Sequence, residues 1–156
     1  MSSDLYGKLE YNVEIKATAK AFHNLFAKKP HHVANATDKV HGVELLKGEW
    51  GTVGSHIVWN YVHDGKPKRT TEIVEAIDHE KNSITLKVIE GDLTEHYKNL
   101  TITMRVTSKS DGQGSVVHWT MVYEKHHGDI EDPHNFVQYL IEVSKDLDIQ
   151  LLDNKE

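Results

Sequence analysis

The sequence predicts an α+β fold in which one antiparallel β-sheet wraps around a long carboxy-terminal α-helix. Three observations lead to this prediction. Seven short segments carry the alternating or apolar pattern of β-strands, and most are joined by turn sequences. Two short helical patterns follow the first strand, and one long amphipathic helix follows the last. Because strands joined by short turns pair antiparallel, the pattern excludes a doubly wound parallel sheet.

The amino-terminal elements begin with a strand over residues 7–15, where apolar and polar residues alternate. The spacing of apolar residues up to Phe26 then predicts a short helix with Thr18 as its N-cap, ending before Pro30. A second short helix is predicted to begin at that proline, within residues 30–39. The six remaining strands are predicted at residues 40–47, 54–63, 67–77, 83–90, 95–108 and 115–125.

The last helix is predicted to begin in the sequence DPHNFVQYL, with Asp132 as its N-cap and Pro133 as its first residue. Its polar face, which includes Asp146 and Asp148, is expected to be solvated. A strongly curved sheet around a single helix leaves space between them, so we expect an apolar pocket there. The apolar face of the helix consists of Phe136, Leu140, Val143, Leu147 and Leu151.

Composition limits the function classes. The 156 residues are expected to form one domain, residues 1–156, with a hydrophobic core large enough to be stable without disulfides or a structural metal. The absence of cysteine excludes disulfides, thiol catalysis and thiolate metal sites. The formal net charge of -6 disfavours a nucleic-acid partner, because an acidic chain repels a phosphate backbone.

Targeting and metal-binding signals are also missing from the sequence. The amino-terminal residues lack the basic start and apolar core of a signal peptide, and no apolar run is long enough to span a membrane. We therefore expect a cytoplasmic protein without stable membrane insertion. The adjacent pairs His31–His32 and His126–His127 lack the spacing of a zinc site. We predict no metal site, no cofactor and no catalytic residue.

A glycine-rich stretch, KGEWGTVGSHIVWNY over residues 47–61, raises the question of a phosphate cradle formed by backbone N–H groups. A phosphate loop of the GxxxxGK[ST] type requires a lysine after its last glycine and a helix that follows. Here Gly54 is followed by Ser55 and a predicted strand. The spacing therefore favours a structural turn over a phosphate site.

Several segments and their order along the chain carry a resemblance to a known family: GKLEYNVEIKATA, PHHVAN, the glycine-rich stretch, IVWNYVHDGKPK, VIEGDLTEHYKN, GQGSVVHWTMVYEK and the DP that opens the last helix. In these segments and in the order of its elements, the chain resembles the helix-grip fold of the plant Bet v 1 superfamily, and within it the major latex protein-like branch. The resemblance implies a seven-stranded antiparallel sheet that grips the last helix, two short helices, and an internal hydrophobic cavity. It further implies an intracellular protein related to carriers and to a few enzymes of alkaloid biosynthesis.

The resemblance also implies which side chains line the cavity. It assigns the strand face of Ile57, Trp59 and Tyr61 to the interior, although both faces of this strand are apolar. It places His118 inward, where similar condensing enzymes carry a catalytic lysine, and the absence of lysine argues against the same condensation. For each residue, plain core packing or a surface position stays open. The expected ligand-contacting residues are Phe26, Ile57, Trp59, Tyr61, Glu72, Leu86, Val88, Leu100, Ile102, His118, Thr120, Phe136, Tyr139, Leu140 and Val143.

Glu72 is the candidate acidic group, because it shares a strand face with Thr70 and Val74. A carboxyl group beside an apolar cavity has its pKa raised by desolvation. A Glu72–His118 couple would support the alternative function, an enzyme of specialised metabolism that uses the same cavity. A solvated position for Glu72 is the competing alternative.

We predict a non-enzymatic carrier of small hydrophobic or amphipathic molecules, linked by the resemblance to plant defence and stress responses. A few polar groups on an apolar wall orient a ligand but specify it poorly, so we expect micromolar affinity. Fatty acids, lysophospholipids, sterols, hormones and aromatic metabolites all fit. A hormone receptor is disfavoured because its proline-bearing gate loop is missing, and a ribonuclease is disfavoured by the acidic charge.

Overall fold

The computed structural model describes residues 5–153 and contains the predicted seven-stranded antiparallel sheet. The strand order across the sheet is β1-β7-β6-β5-β4-β3-β2, and every neighbouring pair is antiparallel. The predicted fold class is therefore confirmed, and strand bounds differ from the prediction by two residues at most. The strands are β1 Tyr6–Ile15, β2 Val40–Lys47, β3 His56–His63, β4 Lys66–Asp78, β5 Ser83–Gly91, β6 Tyr97–Ser108 and β7 Ser115–Lys125.

The helices are α1 Ala19–Ala27, a 3-10 helix Pro30–Asn35, a 3-10 turn Asp92–Glu95 and the long α2 His134–Asp153. Thr18 caps α1 as predicted, since its hydroxyl accepts the backbone N–H of Ala21 at 3.1 Å. The predicted cap of α2 takes a different role. The Asp132 carboxylate accepts the Tyr123 hydroxyl and pairs with Lys125 at 3.2 Å, so it fixes the β7–α2 connection.

The core lies between the concave face of the sheet and α2. Strand β7 shows how the sheet chooses its inner face, because Val117, Trp119, Met121 and Tyr123 alternate with outward side chains and are at most 3% exposed. Full burial of each such side chain contributes roughly 1.5–3 kcal/mol. The indole N–H of Trp119 donates to the Ser144 hydroxyl at 2.9 Å, which joins the sheet to α2.

The carboxy-terminal half of α2 is attached to the rest of the fold by two carboxylates. Asp148 accepts the backbone N–H groups of Lys16 and Ala17 at 2.8–3.1 Å. Asp146 accepts the Thr37 hydroxyl at 2.7 Å and the Lys39 ammonium at 2.9 Å. The expectation that both acids are merely solvated was wrong, because helical periodicity does not show which backbone donors of other elements lie opposite a side chain.

The glycine-rich stretch forms a turn that closes on itself before β3 begins. Gly48, Gly51 and Gly54 all adopt positive φ angles. The Ser55 hydroxyl donates to the Glu49 carbonyl at 2.6 Å and accepts its N–H at 3.0 Å, which closes the base of the turn. This geometry is that of a structural turn feeding a strand.

The glycines at the two ends of this turn differ in how much space surrounds them. Alanine substitutions at the two positions are therefore expected to reduce stability by different amounts. Gly48 and Gly54 have similar φ angles of 91° and 95°. A Cβ at Gly48 would lie 2.4 Å from the buried Ser55 Oγ, whereas a Cβ at Gly54 would meet nothing within 4 Å. We expect Gly54→Ala to destabilise by about 1–2 kcal/mol, the cost of positive φ alone. Gly48→Ala should lose about 2 kcal/mol more, because Ser55 has to abandon both hydrogen bonds.

Urea unfolding of the two variants measures this difference directly. Gly54→Ala is the matched control for the backbone conformation. Equal losses in both variants would show that the contact with Ser55 has no influence on stability.

Candidate ligand-binding site

An internal cavity of about 60 Å³ lies between the concave face of the sheet and α2. Its wall is almost entirely apolar. Strands β2 to β7, the 3-10 helix Pro30–Asn35 and both α-helices contribute to it, so most of the helix-grip architecture is needed to form it. The lining residues are Phe26, Val33, Val40, Trp59, Tyr61, Thr70, Glu72, Leu86, Ile102, Trp119, Phe136, Tyr139, Leu140 and Val143.

Aromatic rings form two opposite parts of the wall. Phe26 of α1 lies 6.1 Å from Trp59 and 5.6 Å from Trp119, measured between ring centroids. At the other end, Phe136 of α2 lies 6.2 Å from Tyr61 of β3 in an edge-on arrangement. The two ring groups connect α1 and α2 to the sheet and leave the cavity between them.

The structure places ten of the fifteen predicted residues on the cavity wall. Three others, Ile57, Val88 and Leu100, are at most 4% exposed but belong to the packed core without reaching the cavity. Sequence reasoning missed four lining residues: Val33, Val40, Thr70 and Trp119. The ten predicted residues on the wall are Phe26, Trp59, Tyr61, Glu72, Leu86, Ile102, Phe136, Tyr139, Leu140 and Val143.

The predicted inward orientation of His118 and Thr120 was wrong. Both lie on the outer face of β7, where His118 Nδ1 is 2.8 Å from Asn12 Oδ1 and Nε2 is 2.9 Å from Thr107 Oγ1. Burial, and secondarily the charge of Arg105, lowers the pKa of His118. The inner face of β7 is the more apolar of the two, a difference that favours it without deciding the orientation, because Val116 and Val122 lie on the outer face.

The outward orientation of His118 also separates it from Glu72 by the thickness of the sheet. Glu72 faces the cavity and is 6% exposed, so the solvated alternative was wrong as well. The two residues therefore do not form an acid–base couple. The enzymatic alternative therefore gains no support from a Glu72–His118 couple.

Glu72 is a buried carboxyl group without a charged partner in the cavity wall. Desolvation raises its pKa to about 8, and the Trp59 indole, as a hydrogen-bond donor facing the carboxyl group, has the weaker opposite effect. This contact does not reach the geometry of a full hydrogen bond, because within residues 5–153 neither Glu72 Oε1 nor Trp59 Nε1 has a partner that meets it. At neutral pH the carboxyl group is therefore mostly protonated and offers an O–H donor to the cavity.

The other polar groups of the wall are paired with protein atoms. The Tyr61 and Thr70 hydroxyls lie 3.0 Å apart, and the Tyr139 hydroxyl donates to the Lys39 carbonyl at 2.6 Å. Burial raises the pKa of Tyr61 to about 12 and also raises the pKa of Tyr139, so both stay protonated. Glu72 and Trp59 are thus the polar groups of the wall that are left for a ligand.

A family model described as the pathogenesis-related protein Bet v 1 family matches residues 4–154. The chain belongs to the Bet v 1 family. MLP-like protein 31 of Arabidopsis thaliana is 52% identical over 155 residues, covering 99% of this chain and 91% of that protein. The crystal structure of ginseng major latex-like protein 151 from Panax ginseng matches with a TM-score of 0.90 and 38% identity, covering 95% of this chain and 99% of that one. These relatives place the chain in the major latex protein-like branch.

A more distant structural neighbour shows the fold alone. Norcoclaurine synthase from Thalictrum flavum, solved with dopamine and hydroxybenzaldehyde, matches with a TM-score of 0.78 at 16% identity. The match covers 97% of this chain and 89% of the synthase chain. The Bet v 1 architecture is therefore shared with an enzyme, while the relatives above are named as an MLP-like and a major latex-like protein.

The Bet v 1 cavity meets a larger open groove of about 1180 Å³ at its Phe136 end. Tyr61 and Phe136 line both spaces, so these two rings stand between the cavity and solvent. The β3–β4 turn, the 3-10 turn Asp92–Glu95 and the β7–α2 connection surround the groove. A side-chain movement of Phe136 would connect the two spaces.

Two further observations concern metals and membranes. Residues 5–153 contain no cluster of three or more histidine and acidic side chains arranged to hold a metal ion. Over the same residues, no helix has both the length and the hydropathy that a bilayer-crossing segment requires.

Proposed function

We propose that this protein binds and carries small apolar or amphipathic molecules in the cavity between the sheet and α2, and that it does so in the cytoplasm. The observation that supports the proposal is an interior cavity with an apolar, aromatic wall and two unpaired polar groups. Membership of the Bet v 1 family supports it further. A setting in plant defence or stress response belongs to the same proposal.

The energetics of such binding depend on apolar burial. Each Å² of apolar surface removed from water contributes about 25 cal/mol, and few hydrogen bonds add to it, so micromolar affinity follows. Pockets for drug-sized ligands measure about 300–1000 Å³. The cavity of about 60 Å³ therefore has to widen when a ligand of that size enters.

Displacement of the Phe136 side chain, rather than of half the helix, widens the cavity, because the Tyr139 hydroxyl also attaches the amino-terminal half of α2 to the Lys39 carbonyl. The carboxy-terminal half of α2 is held by Asp146, Asp148 and the Trp119–Ser144 hydrogen bond. Phe136, by contrast, lies near the start of the helix, at the boundary between the cavity and the open groove. Displacement of this ring toward the groove opens a path without breaking the attachments of either half.

A cavity-filling substitution tests the proposal with the fluorescent apolar probe N-phenyl-1-naphthylamine. Leu86 points into the cavity from β5, whereas Ile89 on the same strand is 37% exposed. We expect Leu86→Trp to weaken probe binding roughly tenfold or more, because the indole occupies the space of the ligand. Ile89→Trp should bind as the wild type does.

Circular dichroism and thermal unfolding establish that both variants are folded before binding is compared. Overpacking by the buried tryptophan destabilises by about 1–3 kcal/mol, which a folded domain tolerates. Equal probe binding by Leu86→Trp and wild type would place the binding site elsewhere and contradict the proposal.

The enzymatic alternative is less well supported than the carrier. His118 lies outside the cavity, and Glu72 is the one titratable carboxyl group among the residues that line it. A carrier needs no acid–base pair, and the cavity wall does not contain the Glu72–His118 couple.

A further inference from the structure

We propose that the cavity selects apolar ligands whose polar end is an uncharged oxygen group, a hydroxyl or a carbonyl, bound between Glu72 and Trp59. The inference rests on the proposed function, because it names the ligand class of the same cavity. It starts from the two polar atoms of the cavity wall that have no partner within residues 5–153, Glu72 Oε1 and Trp59 Nε1.

The position of the two side chains makes one shared partner feasible. Trp59 and Glu72 belong to the adjacent strands β3 and β4, where Trp59 is opposite Thr70 and Glu72 is opposite Ile57. They are therefore diagonal neighbours on the inner face, within reach of long side chains. The Trp59 side chain lies close enough to influence the ionisation of Glu72. A ligand oxygen that lies on the cavity side of both groups would accept from both.

The remaining polar groups of the wall do not compete for that atom. Tyr61 pairs with Thr70, Tyr139 donates to a backbone carbonyl, and Trp119 donates to Ser144. Buried polar groups in proteins are almost always hydrogen-bonded, and a group without a partner destabilises the folded state. A ligand that supplies the missing partner therefore gains affinity from Glu72 and Trp59 beyond its apolar burial.

The donor character of the pair determines the chemistry of the ligand. The Trp59 indole is a donor only, and desolvation keeps the Glu72 carboxyl protonated at neutral pH, so it donates as well. Two donors suit one oxygen that carries two lone pairs. A hydroxyl also donates back to the carboxyl oxygen, whereas an ammonium group accepts from neither.

Charged ligands are disfavoured by the surroundings of the pair. No lysine, arginine or histidine is among the described residues that line the cavity. A ligand carboxylate would lose its hydration there without gaining a counter-charge. A ligand ammonium would bind well only if Glu72 ionised, which its burial opposes.

The experiment compares five naphthalene probes of similar shape by isothermal titration at about pH 6. They are 2-methylnaphthalene, 2-naphthol, 2-acetylnaphthalene, 2-naphthoate and protonated 2-(aminomethyl)naphthalene. We expect naphthol and acetylnaphthalene to bind roughly fivefold to tenfold more tightly than methylnaphthalene, the gain of one or two hydrogen bonds. Both charged probes should bind more weakly than methylnaphthalene.

Substitutions then test whether the gain in affinity comes from the Glu72 and Trp59 side chains. In the double variant Trp59→Phe with Glu72→Leu, the affinity ratio of naphthol to methylnaphthalene should fall to about one, since no donor remains. Trp50→Phe with Glu75→Leu is the matched control, because Trp50 lies in the glycine-rich turn and Glu75 is exposed on β4. The control should keep the ratio of the wild type.

The outcomes separate this inference from the proposed function. Equal binding of naphthol and methylnaphthalene, or tightest binding of a charged probe, would overturn the inference and leave the carrier function standing. A ratio that persists in the Trp59 and Glu72 double variant would also overturn it. Failure of all five probes to bind would overturn the carrier function, and the inference with it.

Discussion

The free energy of unfolding of the Glu72→Gln variant, relative to that of the wild type, is expected to increase steadily as the pH rises from 4.5 to about 8. In the folded protein burial raises the pKa of Glu72 from 4.5 to about 8. Between these values the unfolded chain releases the proton and the folded chain retains it. The favourable contribution of the protonated group is therefore complete below pH 4.5 and is lost as the pH approaches 8, by about 1.4 kcal/mol per pH unit. Glutamine has a similar shape and does not titrate.

Urea unfolding at several pH values in this range tests the expectation, and the informative quantity is the difference between variant and wild type. Other groups cancel in that difference. One of them is His23, whose pKa is lowered to about 4 by burial and then by His79, so it gives stability that rises with pH between 4 and 6.5. Glu75→Gln, at an exposed position of the same strand, should show a constant difference. Parallel profiles for Glu72→Gln and wild type would show that Glu72 is ionised in the folded state.

The Asp148→Ala variant is expected to lose roughly 2–4 kcal/mol of folding free energy. The Asp148 carboxylate accepts the backbone N–H groups of Lys16 and Ala17, and Ala17 is buried. Hydrogen bonds to a charged acceptor contribute about 1.5–3 kcal/mol, and their loss leaves the N–H group of the buried Ala17 without a partner. The substitution therefore releases the carboxy-terminal half of α2 from the β1–α1 junction.

Chemical unfolding of three variants measures the effect. Asp148→Asn retains one carbonyl oxygen and should lose about half as much as the alanine variant. Asp153→Ala, at the exposed end of the same helix, should change stability by less than about 0.5 kcal/mol. A loss in Asp148→Ala no larger than that in Asp153→Ala would mean that the backbone donors find another acceptor.

The attachment at Asp148 also bears on the proposed ligand binding. In the proposed function the cavity opens at Phe136, which lines both the cavity and the open groove. Trp59 and Glu72, whose polar atoms lack a protein partner, lie on the neighbouring strands β3 and β4. An apolar ligand that enters past Phe136 can thus place its body along the aromatic wall and its oxygen at the pair.

The elements of this fold are predictable from the sequence for local reasons. Alternation in β1, the Thr18 cap and the apolar stripe of α2 each depend on neighbouring residues only, and their predicted positions match the structure closely. The apolar side chains of α2 that face the cavity, such as Phe136 and Leu140, follow from the same periodicity.

The orientation of β7 shows where local patterns stop being sufficient. Apolar residues occur on both of its faces, so a period of two does not show which face is inside. Trp119 points inward in the folded protein, where it contacts Phe26 of α1 and donates to Ser144 of α2. These partners are distant in sequence, and the choice moves His118 to the outer face.

The succession of strands and helices, the antiparallel sheet and the apolar face of α2 are all predictable from spacings along the chain. The folded structure was needed to show that Asp148 attaches α2 to the β1–α1 junction. It was also needed to show that Glu72 lies beside Trp59 in the cavity without a charged partner there. The physical reason is that burial and hydrogen-bond pairing depend on neighbours in space, and for these side chains the neighbours come from elements far apart in the chain.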